Sequence, residues 1–226
     1  MDNIVKTPWD RRVFGINTYE LRDISRNVFE EIKNMPGHYT VKLDPQSSKD
    51  LLHEYGFYYC DTLLEPYCRK EHISIHDHPD ITINNAGSVE DLLSISHGAY
   101  SHGRFHRDFN VSSELADLRY DNWSKELYEN GKCLFLYFQE EIAGYFGVEK
   151  NKAVLHALNA KYRGRGLAKP FWSMAYRKIL EGGLDEVTSS ISACNMPILN
   201  LYSSLGFRFR NPLDIYHKLV PPVSST

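Results

Sequence analysis

The sequence predicts an α/β fold built on a mixed sheet, and three observations carry that expectation. Segments that alternate apolar and polar residues are interleaved with segments whose apolar residues recur three and four apart. From residue 88 onward the order reads helix, helix, three antiparallel-type strands, helix, strand, helix, strand. Glycines stand where the helical patterns stop, at Gly131, Gly182, Gly183 and Gly206.

Taken from the start, VFGINTYELR and YTVKLD alternate as strands, and between them DISRNVFEEIKNM places Ile24, Val28 and Ile32 four apart on a helix. SSKDLLHEYGF has the serine start and glycine stop of a short helix, and FYYCDTLLEPY returns to strand composition. These elements define a small N-terminal α/β lobe over residues 1–71. The next stretch contains ISIHDHPDITI, which reads as a strand with His76 and His78 on one face. SVEDLLSISHGAY is a helix capped by Ser88, with Leu92, Ile95 and Ala99 on one side. SHGRFHRDFNV is a polar, aromatic loop, and SSELADLRYDNWSKELYENGK a long helix closed by Gly131. CLFLYF and IAGYFGVE flank the turn QEE as a hairpin, and AVLHALN is the next strand. The helix LAKPFWSMAYRKILEG aligns Leu167, Phe171, Ala175 and Ile179; EVTSSISA, MPILNLYSSLGF and IYHKLV then give strand, helix and strand. This second domain spans residues 72–220, and 221–226 form a tail.

Composition narrows the function. With 226 residues, 42% hydrophobic and 24% charged, the chain can bury a core of its own. A net charge of −3 gives no electrostatic reason to expect nucleic acid as a partner. The sequence contains neither a membrane-length apolar run nor a signal-peptide core, so a cytoplasmic protein is expected. The four cysteines form no CxxC pair. His72, His76 and His78 with Asp77 or Asp80 lack an evident closing ligand, and the expectation is no metal.

The chemistry is concentrated in two places. KYRGRGLA (Lys161 to Ala168) is a glycine- and cation-rich turn between a strand and a helix. Its glycines allow close backbone approach, and the unpaired N–H groups and dipole of the helix start suit a pyrophosphate that Arg163 and Arg165 could bind. The GK[ST] ending of a P-loop is missing, as is the glycine spacing of a dinucleotide fingerprint. The plain alternative is a turn with glycines for geometry alone. In the second place, Asn195 and Pro197 open a helix on which Tyr202 lies two turns further along. The alternatives there are a cap and a core aromatic.

Together these residues resemble the GNAT acetyltransferases over about residues 72–220. The resemblance implies a mostly antiparallel mixed central sheet flanked by helices, with acetyl-CoA as cosubstrate. It implies cofactor contacts at Leu158, Ala160, Arg163, Gly164, Arg165, Gly166, Leu167, Ala168 and Asn195, with Leu155 to Asn159 as the strand beside the pantetheine arm. Tyr202 would be the general acid. Lys161 departs from the family's usual Gln or Arg. Thr7-Pro8-Trp9-Asp10, Val13-Phe14-Gly15 and GFYYCDTLLEPY resemble the partial GNAT-like lobe of the dTDP-fucosamine acetyltransferase group, in which Arg104 and Phe105 would lie near the acceptor.

The reaction so implied is attack of a primary amine on the thioester, polarised by a backbone N–H near Leu158. His156 is the candidate base, with Glu149 or a water path as alternatives. The acceptor expected first is an amino sugar nucleotide; another metabolite amine, an antibiotic, a protein N-terminus or a non-catalytic acyl-CoA sensor remain alternatives. A homodimer is compatible with this reading.

Overall fold

The computed structural model describes residues 3–222; residues 223–226 of the expected tail lie outside the described residues. The chain divides into two compact units that do not follow the sequence order. The first gathers Met1–Leu63, His102–Arg119 and Asn211–Thr226; the second gathers Leu64–Ser101 and Tyr120–Arg210. The first unit therefore takes in the aromatic loop and the last strand as well as most of the expected N-terminal lobe.

In the first unit, β1 (Ile4–Lys6) pairs antiparallel with β2 (Thr18–Leu21), which runs parallel to β3 (Gly37–Leu43). Helices α1 (Pro8–Phe14), α2 (Arg26–Ile32) and α3 (Asp50–Glu54) connect and follow these strands. Phe29, Ile32, Tyr39, Val41 and Leu52 are fully buried in the core between them. Two expectations change here. β1 carries no alternation long enough to announce it, and residues 13–17 are not strand. Pro8 at the first helical position and Gly15 at φ 69° fix α1 instead, the asymmetric stop-and-start that proline and glycine confer. α2 is capped by Ser25, whose hydroxyl accepts from the Val28 N–H.

The second unit starts within β4 (Tyr58–Arg69), whose Tyr67–Arg69 pair antiparallel with β9 (Glu186–Ser189). From β9 the sheet continues through β8 (Lys152–Leu158), β7 (Glu141–Glu149) and β6 (Cys133–Phe138) to β5 (Ile81–Asn84). β8 and β9 are parallel and the remaining neighbours antiparallel. The β6–β7 turn holds Gln139 at φ 50° and Glu140 at φ 72°, the double positive φ that matches hairpin twist. β5 begins only at Ile81, and the preceding residues 73–80 are irregular, so His76 and His78 are not on a strand. Pro79 ends any ladder there, and the His76 N–H bonds the Ser173 hydroxyl at 3.0 Å instead.

On one face of this sheet, α4 (Val89–Ser96) packs Leu92 and Ile95 against Phe135, Tyr145 and Leu155; Ser88 and Asp91 close its capping box. The long helix α5 (Ser113–Glu129) adds Leu127 to the same cluster. On the other face, α6 (Ala168–Leu180) and α7 (Met196–Ser204) bury Phe171, Ala175, Tyr176 and Tyr202 against Phe146 and Val187. The strand expected over EVTSSISA breaks at Ser190, leaving β10 (Ile191–Ser192) as a separate two-residue piece. The last strand, β11 (Arg208–Val220), starts earlier than expected and pairs its Asp214–Val220 segment with β3.

Candidate functional site

The second unit opens where β8 and β9 part. Their parallel pairing is confined to Lys152↔Thr188 and Ala153↔Ser189, so Val154 to Leu158 lose β9 as a neighbour. β7 pairs Gly144 with Leu158 and Phe146 with His156, and the Asn159 N–H donates to the Ala143 carbonyl at 2.8 Å. Bonded and non-bonded pairs alternate along an antiparallel ladder. The backbone polar groups of His156 and Leu158 consequently turn away from β7, toward the gap. The Leu158 carbonyl accepts from Arg163 Nε at 2.9 Å, which leaves the N–H as that residue's donor into the gap.

Beyond β8, Ala160–Tyr162 make one 3₁₀ turn, with the Asn159 side chain accepting from the Lys161 N–H. Gly164 and Gly166 follow at φ 71° and 76°, and a Cβ at either would meet no atom within 4 Å. Conformation rather than space selects glycine at both. α6 then begins behind Leu167 with no side-chain cap, so among the described residues its first N–H groups have no capping side chain, and the helix dipole lies behind them. Backbone donors at a helix start, approached through two glycines, form an anion cradle.

The cations around this turn are not equivalent. Lys161 pairs with Glu141, whose carboxyl is lowered by the Lys161 and Tyr162 side-chain hydrogen bonds. Arg163 is bound through Nε to Leu158, while the Arg165 guanidinium lies over the Phe138 and Tyr162 rings at 5.8 and 5.7 Å. A contact with a ring face uses none of the guanidinium's N–H donors. Pro170, in the first turn of α6, removes an N–H that would be unpaired there in any case.

Across the gap, Asn195 caps α7 by accepting from the Ile198 N–H at 3.3 Å, and its amide nitrogen is the donor that remains. Tyr202 is fully buried on α7. Its hydroxyl meets His156 Nε2 at 2.8 Å and the Tyr176 hydroxyl at 2.6 Å. Burial pushes Tyr202 up to about 12, although neighbouring donors act in the opposite direction. Burial lowers His156 to about 4; its ring is enclosed by Phe146 and Trp172, each 5.2 Å away. The structure thus joins His156 to Tyr202 and ties the turn to the end of β8 through Arg163 and Leu158, while Asn195 stands at the start of the helix that carries Tyr202. Glu149 stands exposed and paired with Lys132 at 2.8 Å.

Arg104 and Phe105 belong to the first unit. Phe105 is 1% exposed and packs on Phe14 and on His38 and His217, so its ring is a core group; Arg104 lies over that ring. Sequence reading missed the cluster beneath it. His38 Nε2 and His217 Nδ1 each lie 2.7 Å from one oxygen of buried Asp108, whose other oxygen accepts from Tyr58 and from the Asn110 N–H. Three ligand-type side chains meet there. At about 2.1 Å from a tetrahedral ion, ligand atoms would stand roughly 3.4 Å apart, so contacts of 2.7 Å are those of a hydrogen-bonded bracket. No local motif announces residues 38, 108 and 217 as neighbours.

The sequence profile of the Acetyltransferase (GNAT) family matches residues 94–207. Mycothiol acetyltransferase of Corynebacterium glutamicum (strain R) is 29% identical over 113 residues, covering 48% of this chain and 37% of that protein. The chain thus matches little more than a third of that relative's length. A GCN5-related N-acetyltransferase from Sphaerobacter thermophilus superposes with TM-score 0.64 at 11% identity, covering 97% of this chain and 76% of the other. A tandem GNAT protein from the clavulanic acid biosynthesis pathway gives TM-score 0.55 at 10% identity, with coverages of 92% and 76%. At such identities the likeness is one of fold. Among the described residues, no helix is long and apolar enough to cross a membrane.

Proposed function

The chain belongs to the GNAT acetyltransferase family, and from that premise we propose that it moves an acetyl group from acetyl-CoA to a primary amine of a small molecule. The observation that carries this reading is the uncapped start of α6 behind Gly164 and Gly166, opening beside the parting of β8 and β9. A pyrophosphate fits the N–H cradle, with Arg165 and the free edge of Arg163 as charge-assisted donors. Ala160, Leu167 and Ala168 supply backbone around it, and Asn195 offers its amide to the pantetheine arm.

In this reading the amine nitrogen attacks the thioester carbon, and positioning supplies much of the rate. The Leu158 N–H receives the developing oxyanion. As the carbon–sulfur bond breaks, Tyr202 gives its proton to the thiolate. An imidazole held near 4 is neutral at pH 7 but a weak base, so His156 passes a proton along rather than extracting one from an ammonium ion; the acceptor must arrive as free amine. The first acceptor to try is an amino sugar nucleotide, after the N-terminal resemblance. Arg104 is the substrate residue retained from that resemblance, and buried Phe105 sets its loop. A second reading, a non-catalytic acyl-CoA sensor, draws on the complete burial of Tyr202.

The test is thermal unfolding with and without acetyl-CoA, in the native chain and in Arg163→Ala/Arg165→Ala. At 100 times Kd, binding stabilises by about 2.7 kcal/mol; an upward shift lost in the double variant is expected. No shift in the native chain would refute the reading. Amine-dependent thiol release separates the enzyme from the sensor.

A further inference from the structure

Tyr202 poses a problem for the proposed acetyl transfer, and any role for its neighbours rests on that reaction. A phenol that surrenders its proton while fully buried leaves a buried phenolate, and an unpaired buried anion is costly. The groups that face this hydroxyl are His156 from β8, Ser189 from β9, and Tyr176 and Trp172 from α6, with Cys68 beside Tyr176. None carries a formal charge that could compensate.

Two of these neighbours, Tyr176 and Trp172, carry buried donor groups. The Tyr176 hydroxyl is fully buried and lies 2.6 Å from the Tyr202 oxygen. The Trp172 indole N–H is buried and has no hydrogen-bond partner among the described residues, and its ring packs 5.2 Å from His156, the residue that meets the Tyr202 hydroxyl at 2.8 Å. A buried donor left unpaired costs about 1–3 kcal/mol, and such an atom in a native structure asks for an explanation. Trp172 and Tyr176 are four apart on α6 and so share a face. That face is the one that covers Tyr202.

We infer that Tyr176 and Trp172 are positioning residues for Tyr202, a pair of donors kept in place for the phenolate that forms when Tyr202 protonates the leaving thiolate. The proton balance closes without a further reactant. The carbon–nitrogen bond forms, the carbon–sulfur bond breaks, and the thiolate takes the Tyr202 proton. The proton lost by the attacking nitrogen then returns to the phenolate through His156, whose Nε2 lies 2.8 Å from that oxygen. During the interval the phenolate is held by the Tyr176 O–H and by the indole N–H, which closes on it.

The test places 2,3,5-trifluorotyrosine at position 202 of the full chain and follows its ionisation by ¹⁹F NMR, in the native background and in Tyr176→Phe and Trp172→Phe. Thiol release from acetyl-CoA is measured alongside, with a mixture of amino sugars, polyamines and amino acids as acceptors, for these variants and for Tyr202→Phe. Loss of either donor is expected to raise the ionisation midpoint by about one pH unit and to lower kcat about tenfold with KM for acetyl-CoA unchanged. An unmoved midpoint in both variants overturns the inference, even where Tyr202→Phe abolishes thiol release and the acid role stands. A moved midpoint with undiminished thiol release in Tyr202→Phe overturns it too, because the acid role has then failed. Should Trp172→Phe not fold, 3-fluorotyrosine at position 176 serves in its place. It keeps the shape, donates more strongly and must move the midpoint down.

Discussion

Lowering the pH should destabilise this protein well before its carboxylates titrate, and the first unit's buried bracket sets the size of the effect. His217 is fully buried, and burial holds it down to about 3, against about 6.5 in an unfolded chain. Between those values the unfolded state binds a proton that the native state refuses. Stability therefore rises with pH through this window and is lost as pH falls through it. Each unit below 6.5 withdraws up to about 1.4 kcal/mol, so by pH 5 this one ring costs about 2 kcal/mol, a sizeable share of a typical 5–15 kcal/mol. Burial alone would raise the Asp108 carboxyl, but hydrogen bonds from His217 and His38 outweigh that and hold it well below the usual range. Asp108 hence stays ionised across the window, and its own stabilising contribution is lost only under stronger acid. The assay is urea unfolding between pH 7.5 and 5.0 for the native chain and His217→Asn. Asparagine can present its amide N–H where His217 Nδ1 stands and cannot take up a proton. The variant should be less stable at pH 7.5 because the ring's volume is lost, yet its stability should fall by about 1 kcal/mol less per pH unit. Equal slopes in the two proteins would refute the assignment of His217 as a neutral buried ring.

Arg165→Ala should weaken acetyl-CoA binding about tenfold in a calorimetric titration, one charge-assisted bond being worth about 1.5–3 kcal/mol. Arg163→Ala should in addition lower kcat, because it frees the Leu158 carbonyl at the gap. Tyr202→Phe should cut thiol release about 10²-fold or more while KM for acetyl-CoA holds, and equal kcat would exclude Tyr202 as the acid. Gly206→Ala should cost more than about 2 kcal/mol in urea unfolding. Position 206 sits at φ 90°, and a Cβ there would lie 2.4 Å from the His72 carbonyl. Gly164→Ala, strained in φ but open in space, should cost only about 1 kcal/mol.

The second unit was more legible than the first because its signals are local. The hairpin, the capping of α4 by Ser88 and the apolar face of α6 are each complete within one continuous stretch of chain, so alternation and spacing suffice. The turn from Arg163 to Ala168 was legible for the same reason, since glycine, cation and helix start are adjacent. The first unit assembles from three separated stretches, and nothing in the local composition of SHGRFHRDFNV marks Phe105 and Asp108 as core residues. An aromatic beside histidines and arginines reads as a solvated loop until the strands that bury it are known. α1 was misread because alternation in VFGINTYELR outweighed its true markers, Pro8 and Gly15.

The same distinction separates what a motif says from what its side chains do. KYRGRGLA offers three cations to a phosphate on paper, but each already has an occupation. Lys161 pairs with Glu141, Arg163 braces the end of β8, and Arg165 lies on two rings. A motif specifies residue types, while the share of each that a ligand can claim depends on competing partners set by the fold. At this turn the backbone N–H groups of α6 are the one set of donors without an alternative side-chain cap among the described residues. In the proposed reading the glycines that expose them matter more to anion binding than any single cation, and Lys161 in place of the family's usual residue would cost the site little, because its charge is already committed to Glu141.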